Sequence, residues 1–454
     1  MGISKRQFPA CYNPTMRLRF SPLYLLAVPA LCLVALLIYN IPFVHERLAW
    51  RVDQLRTRLV YAVNPPEEVV FVPQGQSTLP PTALPSPTPS LAPTLTPNPT
   101  TKPGNTATPE PTFTPEPSPT PLPVSVRLEG VKYEDQHGRL NYCGPSNMSM
   151  ALTFWGWDGD RDVVGSYVKT NDKDKNVMAY ELQDFVIEEV PDLTMLIRYG
   201  GEIDLFRKLL ANGFPVVAEK GYYTYDLNGK YSWLGHYQFV TGYDDEKGVV
   251  IVQDTYEKNG NNMEVPYEKF REGWRPFDFL FMVVYPYARQ NELVDLLGDY
   301  NDPDWANRHA LEVAREEVQT LTGQDQYFAA FNVGTSHVNL REYGDASYAY
   351  DYAFQLYANL PDNEQRPYRM LWYQTGPYFA YYYSMRYQDV IDLANVTFDT
   401  IDPDVLEESF YWRGMAFQAL GYTDYAIADF RESLNLHPGF GPTLYQLELM
   451  GVQP

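Results

Sequence analysis

The sequence predicts a multidomain chain: a single N-terminal transmembrane helix, a mixed α+β domain in the middle and an all-α domain of helical repeats at the C-terminus. Three observations carry that prediction. Leu23 to Val44 is almost wholly apolar and long enough to span a bilayer. Between about Val124 and Tyr287, short β-branched and aromatic runs alternate with helical periodicities. Beyond Pro286 the chain turns helical, with little Gly or Pro inside each segment.

Composition narrows the function classes. A length of 454 residues allows two or three domains. The net charge of −22 argues against nucleic acid as a partner of the folded parts. Three cysteines encode no disulfide framework, and no CxxC or clustered Cys/His spacing marks a metal site, so neither metal nor cofactor is expected.

Residues 1–22 form a tail with Lys5, Arg6, Arg17 and Arg19 and no acidic residue. The span at 23–44 is interrupted by Pro29 and Asn40. A cleaved signal peptide is the rival reading, but the apolar run is longer than a usual h-region and no small-x-small site follows it. Leu31 before Cys32 spoils a lipoprotein-type cleavage box. Arg47, Arg51, Arg56 and Arg58 follow the span closely, so the positive-inside rule gives nearly a tie. Residues 45–71 read as a polar helical continuation next to the membrane.

The orientation is decided by residues 72–123, a Pro/Thr/Ser-rich linker that cannot bury a core and is expected to be disordered and extended. At ~3.1 Å per residue it could reach on the order of 150 Å, a stalk suited to holding a domain beyond an envelope layer. The expected location is therefore the cell membrane, single-pass, with the N-terminus inside and the folded domains extracytoplasmic. A flexible cytoplasmic linker is the other reading of the same composition.

In the α+β domain, 124–287, strands are expected at Ser125–Tyr133, Met195–Tyr199, Pro215–Glu219, Tyr237–Gly242, Val249–Gln253 and Leu280–Tyr285. Helices are expected at Gly144–Phe154, Met178–Glu188, Ile203–Ala211 and Tyr267–Glu272. Gly213 and Pro215 stop a helix before a buried strand, and Asp244 to Gly248 makes a hairpin turn. In 288–454 the clearest unit runs Trp412, Gly414, Phe417, Gly421, Tyr422, then Ala426, Phe430, Leu434 and Pro438. Weaker copies begin at Gly334 and Trp372. Small residues at helix crossings, aromatics in the gaps and a closing proline resemble the tetratricopeptide repeat, and about three such units make a stable stack. An ordinary helical bundle is the alternative.

The chemistry centres on Tyr142-Cys143-Gly144-Pro145. Gly144 allows a sharp entry, Pro145 suits a first helical turn, and Met148, Ala151, Leu152 and Trp155 bury one helix face. A sulfur at a helix N-terminus is favoured as thiolate. In the expected topology Cys143 is also the single thiol beyond the membrane. A structural cysteine is the plainer reading. A base must then come from the domain's two histidines, His137 and His236. His236 opens Gly235-His236-Tyr237-Gln238-Phe239, at the expected start of a strand. The following strand ends in Asp254, where antiparallel pairing can bring it alongside. Cys, His and Asp can thus converge as nucleophile, base and orienter, although Asp254 also reads as a turn residue.

Cys143-Gly144-Pro145, Gly235-His236-Tyr237, Gln253-Asp254-Thr255, the Lys220-Gly221-Tyr222 strand end and the closing Val-Val-Tyr-Pro286 resemble the bacterial C39-like cysteine peptidases over about a third of the chain. That resemblance implies a papain-like fold with Cys143 as nucleophile, His236 as general base and Asp254 as the residue that orients the imidazole. The family's oxyanion glutamine matches Gln136, with a longer gap before the cysteine than usual; His137 is expected to be a bystander. A peptide or protein substrate is implied, with the repeats binding it or a protein partner. A catalytically inactive display protein that uses the repeats as a scaffold is the alternative.

Overall fold

The computed structural model describes residues 22–41, 70–75, 121–171, 174–225, 231–361, 366–401 and 404–454, together with scattered helical positions between 44 and 59. The chain divides into two compact units, Met1–Val60 and Tyr61–Pro454.

In the first unit, α1 spans Pro22–Tyr39. It stops short of the expected Val44 because Asn40 folds back on the last turn, its side-chain amide donating to the Leu36 carbonyl at 2.7 Å. Eighteen residues rise about 27 Å, slightly less than a hydrocarbon core of about 30 Å. The expected span over 23–44 is helical from Pro22 to Tyr39, and among the described residues no helix is long and apolar enough to cross a membrane. The tail, most of the juxtamembrane stretch and the Pro/Thr/Ser-rich linker from 76 to 120 lie outside the described residues.

The second unit begins with a departure. Residues 70–75, expected at the junction of helix and linker, run without helix and dock on the C-terminal helices. Phe71 is buried with its ring 4.9 Å from that of Phe354, and the Gln74 amide N–H donates to Asp389 at 2.6 Å. A large apolar side chain followed by hydrogen-bonded backbone is what a docked strap needs, and composition alone does not reveal it.

The α+β part runs β1 (Ser125–Arg127), α2 (Cys143–Phe154), α3 (Arg161–Val168), α4 (Ala179–Glu189), β2 (Leu193–Arg198), α5 (Ile203–Ala211), β3 (Val216–Tyr225), β4 (Tyr231–Asp244), β5 (Val249–Asp254), β6 (Met263–Pro266), α6 (Tyr267–Trp274) and β7 (Phe281–Pro286). One antiparallel sheet has the order β2-β7-β3-β4-β5-β6, and β1 joins β4. β4 pairs with β3 up to Val240, then shifts register and pairs with β1 from Gly242. Side chains alternate between faces. Tyr237 and Phe239 face a core with Met148 and Leu152 of α2, while Val216, Ala218 and Val240 face a second core with Phe206, Phe270 and Trp274.

Four differences from expectation have local causes. β1 ends at Arg127 instead of Tyr133, ahead of Gly130 at φ 86°. β4 begins six residues before Tyr237, so His236 lies inside a long hairpin and not at a strand start. β6 is an edge strand of only four residues, half-buried and exposed in turn, too short to stand out in the sequence. α3 carries Gly165 in its middle, which weakens the helical pattern of the sequence; a Cβ there would run into the Tyr142 ring and hydroxyl, so glycine lets the helix approach.

The C-terminal part adds α7 (Gln290–Leu297), α8 (Pro303–Thr320), α9 (Gly323–Asn339), α10 (Tyr343–Asn359), α11 (Met370–Tyr373), α12 (Gly376–Tyr383), α13 (Tyr387–Asp399), α14 (Glu407–Ala419), α15 (Thr423–Leu436) and α16 (Gly441–Leu449). Three helical hairpins share one turn. Glu342, Arg386 and Tyr422 each donate a backbone N–H to the carbonyl five residues back, at 2.8, 2.8 and 2.9 Å. The residue before each is left-handed: Arg341, Met385 and Gly421. This is the glycine-type helix stop, and only the third copy uses glycine. Gly334 and Gly414 sit where helices cross, and added Cβ atoms would lie 2.6 Å from Tyr350 and 2.9 Å from Phe430. The core around α2 continues into these helices, so the α+β part and the helical part share buried residues.

Candidate functional site

Cys143 is the first residue of α2, as the Gly-Pro pattern predicts. The entry is a left-handed Asn141, the residue type besides glycine that tolerates that region best, and its side chain donates to the Asp174 carbonyl at 2.9 Å. Asn147, one turn into the helix and fully buried, donates to the Cys143 carbonyl at 2.8 Å and to the Tyr237 carbonyl at 2.9 Å. A single amide thus clamps the helix start to β4 beside the histidine.

His236 and Asp254 are only 4% and 3% exposed. Register places Asp254 opposite Gln238, two residues from His236 on the same face of the sheet. His236 Nε2 lies 3.2 Å from Asp254 Oδ1, which leaves Nδ1 as the nitrogen for the thiol, and the His236 ring and the Cys143 thiol are hydrogen-bond partners. Asp254 is saturated. Oδ1 also accepts backbone N–H groups of Tyr256 and Glu257 at 2.9 and 3.0 Å, and Oδ2 accepts the Gln238 amide. The Tyr222 ring stands edge-on to the imidazole at 5.4 Å, and the Tyr256 ring lies 6.4 Å away. The base is held on every side.

The electrostatics follow from this packing. Burial works to raise the Asp254 carboxyl, but the His236 charge and the donated hydrogen bonds hold it well below the usual range. Burial works to lower His236, but Asp254 and the Cys143 sulfur raise it to about 10. Burial works to raise the Cys143 thiol, but His236 and the backbone N–H groups of Tyr237 and Gly144 bring it below its ordinary value. The two shifts run toward each other, the imidazole up and the thiol down, which is the direction that favours a thiolate beside an imidazolium.

Gln136 is brought to the same end of the sheet by its backbone bond to Thr255 at 2.9 Å. Its amide oxygen accepts the Thr255 hydroxyl at 2.8 Å, so the NH2 group is what it can offer elsewhere. His137 is exposed, bonded to the Tyr256 carbonyl at 3.0 Å, and takes no part in the pair.

Sequence reasoning missed Asn147, Gln238 and Glu219. Gln238 was legible in part, since it shares a strand face with His236. Asn147 is a polar residue on an otherwise apolar helix. Glu219, on β3 opposite Tyr237, is buried, and burial with the nearby Cys143 charge pushes its carboxyl well above the usual range while Tyr237 opposes the shift. It lines a cavity of about 390 Å3 whose walls also include Tyr199, Arg341, Tyr373 and Phe379, so the sheet and the helical part enclose it jointly. Among the described residues, the two His/acid triplets close enough to hold an ion both lie outside this site.

Comparison with known proteins bears on one stretch of the chain. Residues 128–281 match the model of the Peptidase_C39 like family. That stretch contains Cys143, His236 and Asp254, and its antiparallel sheet with a cysteine-bearing helix is a papain-like α+β arrangement. No curated protein matches the chain. Among solved structures, a C39-like peptidase candidate from Bacillus anthracis aligns at 18% identity and TM-score 0.29 over 36% of this chain and 97% of its own. The peptidase domain of Streptococcus ComA, a bifunctional ABC transporter of a quorum-sensing pathway, aligns at 16% and 0.27 over 35% and 99%. Xylellain, a cysteine protease from Xylella fastidiosa, aligns at 15% and 0.28 over 37% and 87%. At these scores the structural alignments carry no argument, and the family match is what counts.

Proposed function

We propose that this protein is a membrane-tethered cysteine peptidase in which Cys143, His236 and Asp254 cleave a peptide bond. The observation that carries the proposal is the buried Asp254–His236 pair beside a helix-start thiol that it shifts downward. The Cys143 thiolate attacks the scissile carbonyl carbon. The oxyanion is met by the Cys143 backbone N–H at the helix start and by the Gln136 amide NH2. The His236 imidazolium gives its proton to the leaving amine as the C–N bond breaks, leaving an acyl-thioester. A water then gives its proton to His236 and attacks the thioester, releasing the acid and restoring the pair. Asp254 keeps the ring oriented throughout.

The helical part acts as a tetratricopeptide-like surface that helps to hold the peptide or a protein partner. The shared cavity with Glu219 and Tyr373 supports this role. The apolar N-terminal stretch tethers the chain, with the folded unit on the extracytoplasmic side. The exposed Leu31, Leu33, Leu36 and Leu37 on α1 support the tether. A display protein without activity is the second reading, favoured by Tyr373 packing over Gly235, next to His236.

The deciding experiment treats the full-length protein with a thiol-directed peptidyl probe and profiles hydrolysis over a peptide library. Labelling of the native protein and its loss in Cys143→Ala are expected. A native protein that neither labels nor hydrolyses sinks the peptidase reading and leaves the display one. Impermeant maleimide reacting with Cys143 in intact cells tests the topology.

A further inference from the structure

Away from the cysteine, six acidic or basic side chains from both halves of the folded unit meet in the interior. Glu181 sits in the first turn of α4, and its Oε2 accepts the Met178 backbone N–H at 2.7 Å. Its other oxygen, Oε1, is buried without a hydrogen-bond partner, on a residue only 7% exposed. That oxygen lies 3.8 Å from His437 Nδ1, which is 3.2 Å from Glu407 Oε1. Glu408 is buried beside them with the Asn176 amide 3.5 Å away, and Asp174 closes the group with Lys169 Nζ 3.9 Å from its carboxylate. Among the described residues, four carboxylates thus share one ammonium and one imidazole. Burying uncompensated carboxylates costs several kcal/mol each, so such a group calls for a cation or for protons.

We propose that Glu181, Glu407 and His437 bind a divalent transition-metal cation that joins the α+β part to the helical part. One ligand atom from each lies within 4.8 Å of the other two. Metal bonds of about 2.0–2.2 Å put neighbouring ligand atoms about 3–4 Å apart, so closing onto an ion takes a contraction of about 1 Å. Two carboxylates with an imidazole suit Mn2+ or Zn2+ better than Ca2+ or Mg2+, which take oxygen alone. Asp174 and Glu408 supply the surrounding negative charge. The site also braces the approach to the nucleophile. The Asp174 carbonyl holds Asn141, and Val177 packs on Gly144 and accepts the Tyr237 hydroxyl at 2.8 Å.

The test titrates Mn2+ into chelator-stripped full-length protein at neutral pH and reads free ion by its paramagnetic resonance signal. Mn2+ has little affinity for thiolate, so Cys143 does not compete. One ion per chain is expected, with affinity falling at least about tenfold in Glu407→Gln and in His437→Ala. Absence of stoichiometric uptake by the wild-type chain overturns the proposal whatever the variants do. Undiminished uptake by the Glu407→Gln/His437→Ala double variant also overturns it. His337, Glu342 and Asp345 form a second, partly exposed group. Asp345→Asn should leave uptake unchanged; if it abolishes uptake, the ion sits there and the proposal falls. None of these residues belongs to the Cys143 site, so failure here leaves the peptidase reading standing.

Discussion

Two buried groups of charge are handled in opposite ways. Around Asp254 both carboxylate oxygens accept hydrogen bonds, Oδ1 from His236 and two backbone N–H groups and Oδ2 from Gln238, and the result is a carboxyl held down and an imidazole raised to about 10. Around Glu181 the acids outnumber the bases. Burial and then Glu407 raise Asp174 to about 7 against the pull of Lys169, and burial with neighbouring acids pushes Glu181 and Glu408 well above the usual carboxyl range. In the first group each buried charge has an opposite partner, and the thiol beside it is shifted down. The second is incomplete, which is the physical mark of a ligand or proton still to be supplied. Burial by itself distinguishes neither; the count of donors does.

The largest test of this contrast removes the nucleophile. Cys143→Ala should cut hydrolysis by at least about a thousandfold while leaving the melting temperature nearly unchanged, as read by kinetics and thermal melting. Next comes the orienter. Asp254→Asn should lower kcat/KM by roughly 10^2 to 10^4 and move the pH at which Cys143 alkylates upward, because the imidazolium loses its partner. Stability should follow with a defined sign. The Asp254 contribution is present above its ordinary 3.8 and lost as pH falls below it. The His236 contribution is complete below its ordinary 6.5 and lost as pH rises toward about 10. Thermal melting against pH, in the Cys143→Ala background so that the thiol's opposite trend does not enter, should show both slopes, and Asp254→Asn should flatten them.

The incomplete group should respond in the reverse sense. Glu408→Gln removes the cost of burying or protonating a carboxylate among other acids, so metal-free protein should melt a few degrees higher, whereas neutralising Asp254 destabilises. Equal losses from both substitutions would break the contrast. The smallest effect concerns the helical part alone. Met385 is exposed and left-handed in a turn whose third copy uses Gly421. Met385→Gly should raise stability by about 0.5–1 kcal/mol in chemical denaturation.

The residues of the candidate site were largely legible. Cys143 announces itself through Gly144 and Pro145, and His236 and Asp254 through two adjacent strand patterns, because local backbone chemistry and a period of two are written residue by residue. Gln136 rests on the family resemblance alone, and its backbone bond to Thr255 is what brings it to the end of the Asp254 strand. Much else was not legible. The long β3–β4 hairpin hides in a stretch of mixed polarity, and Arg341 and Met385 occupy turns where glycine would have signalled the stop. The strap at 70–75 reads as the start of a linker until Phe71 is seen in the core.

The sequence by itself determined the order of the parts, the helix-start cysteine, the pairing of a histidine strand with an acid-tipped one and the repeating helices. All of these depend on neighbours along the chain. Only the tertiary structure decided that Asn147 and Gln238 clamp the reactive pair, and that Asp174, Glu181, Glu407, Glu408 and His437 are drawn out of water together. The expectation of no metal came from searching for close Cys/His spacing, which such a group lacks. Desolvation depends on which distant surfaces pack together, and that is set by the whole fold, not by spacing along the chain.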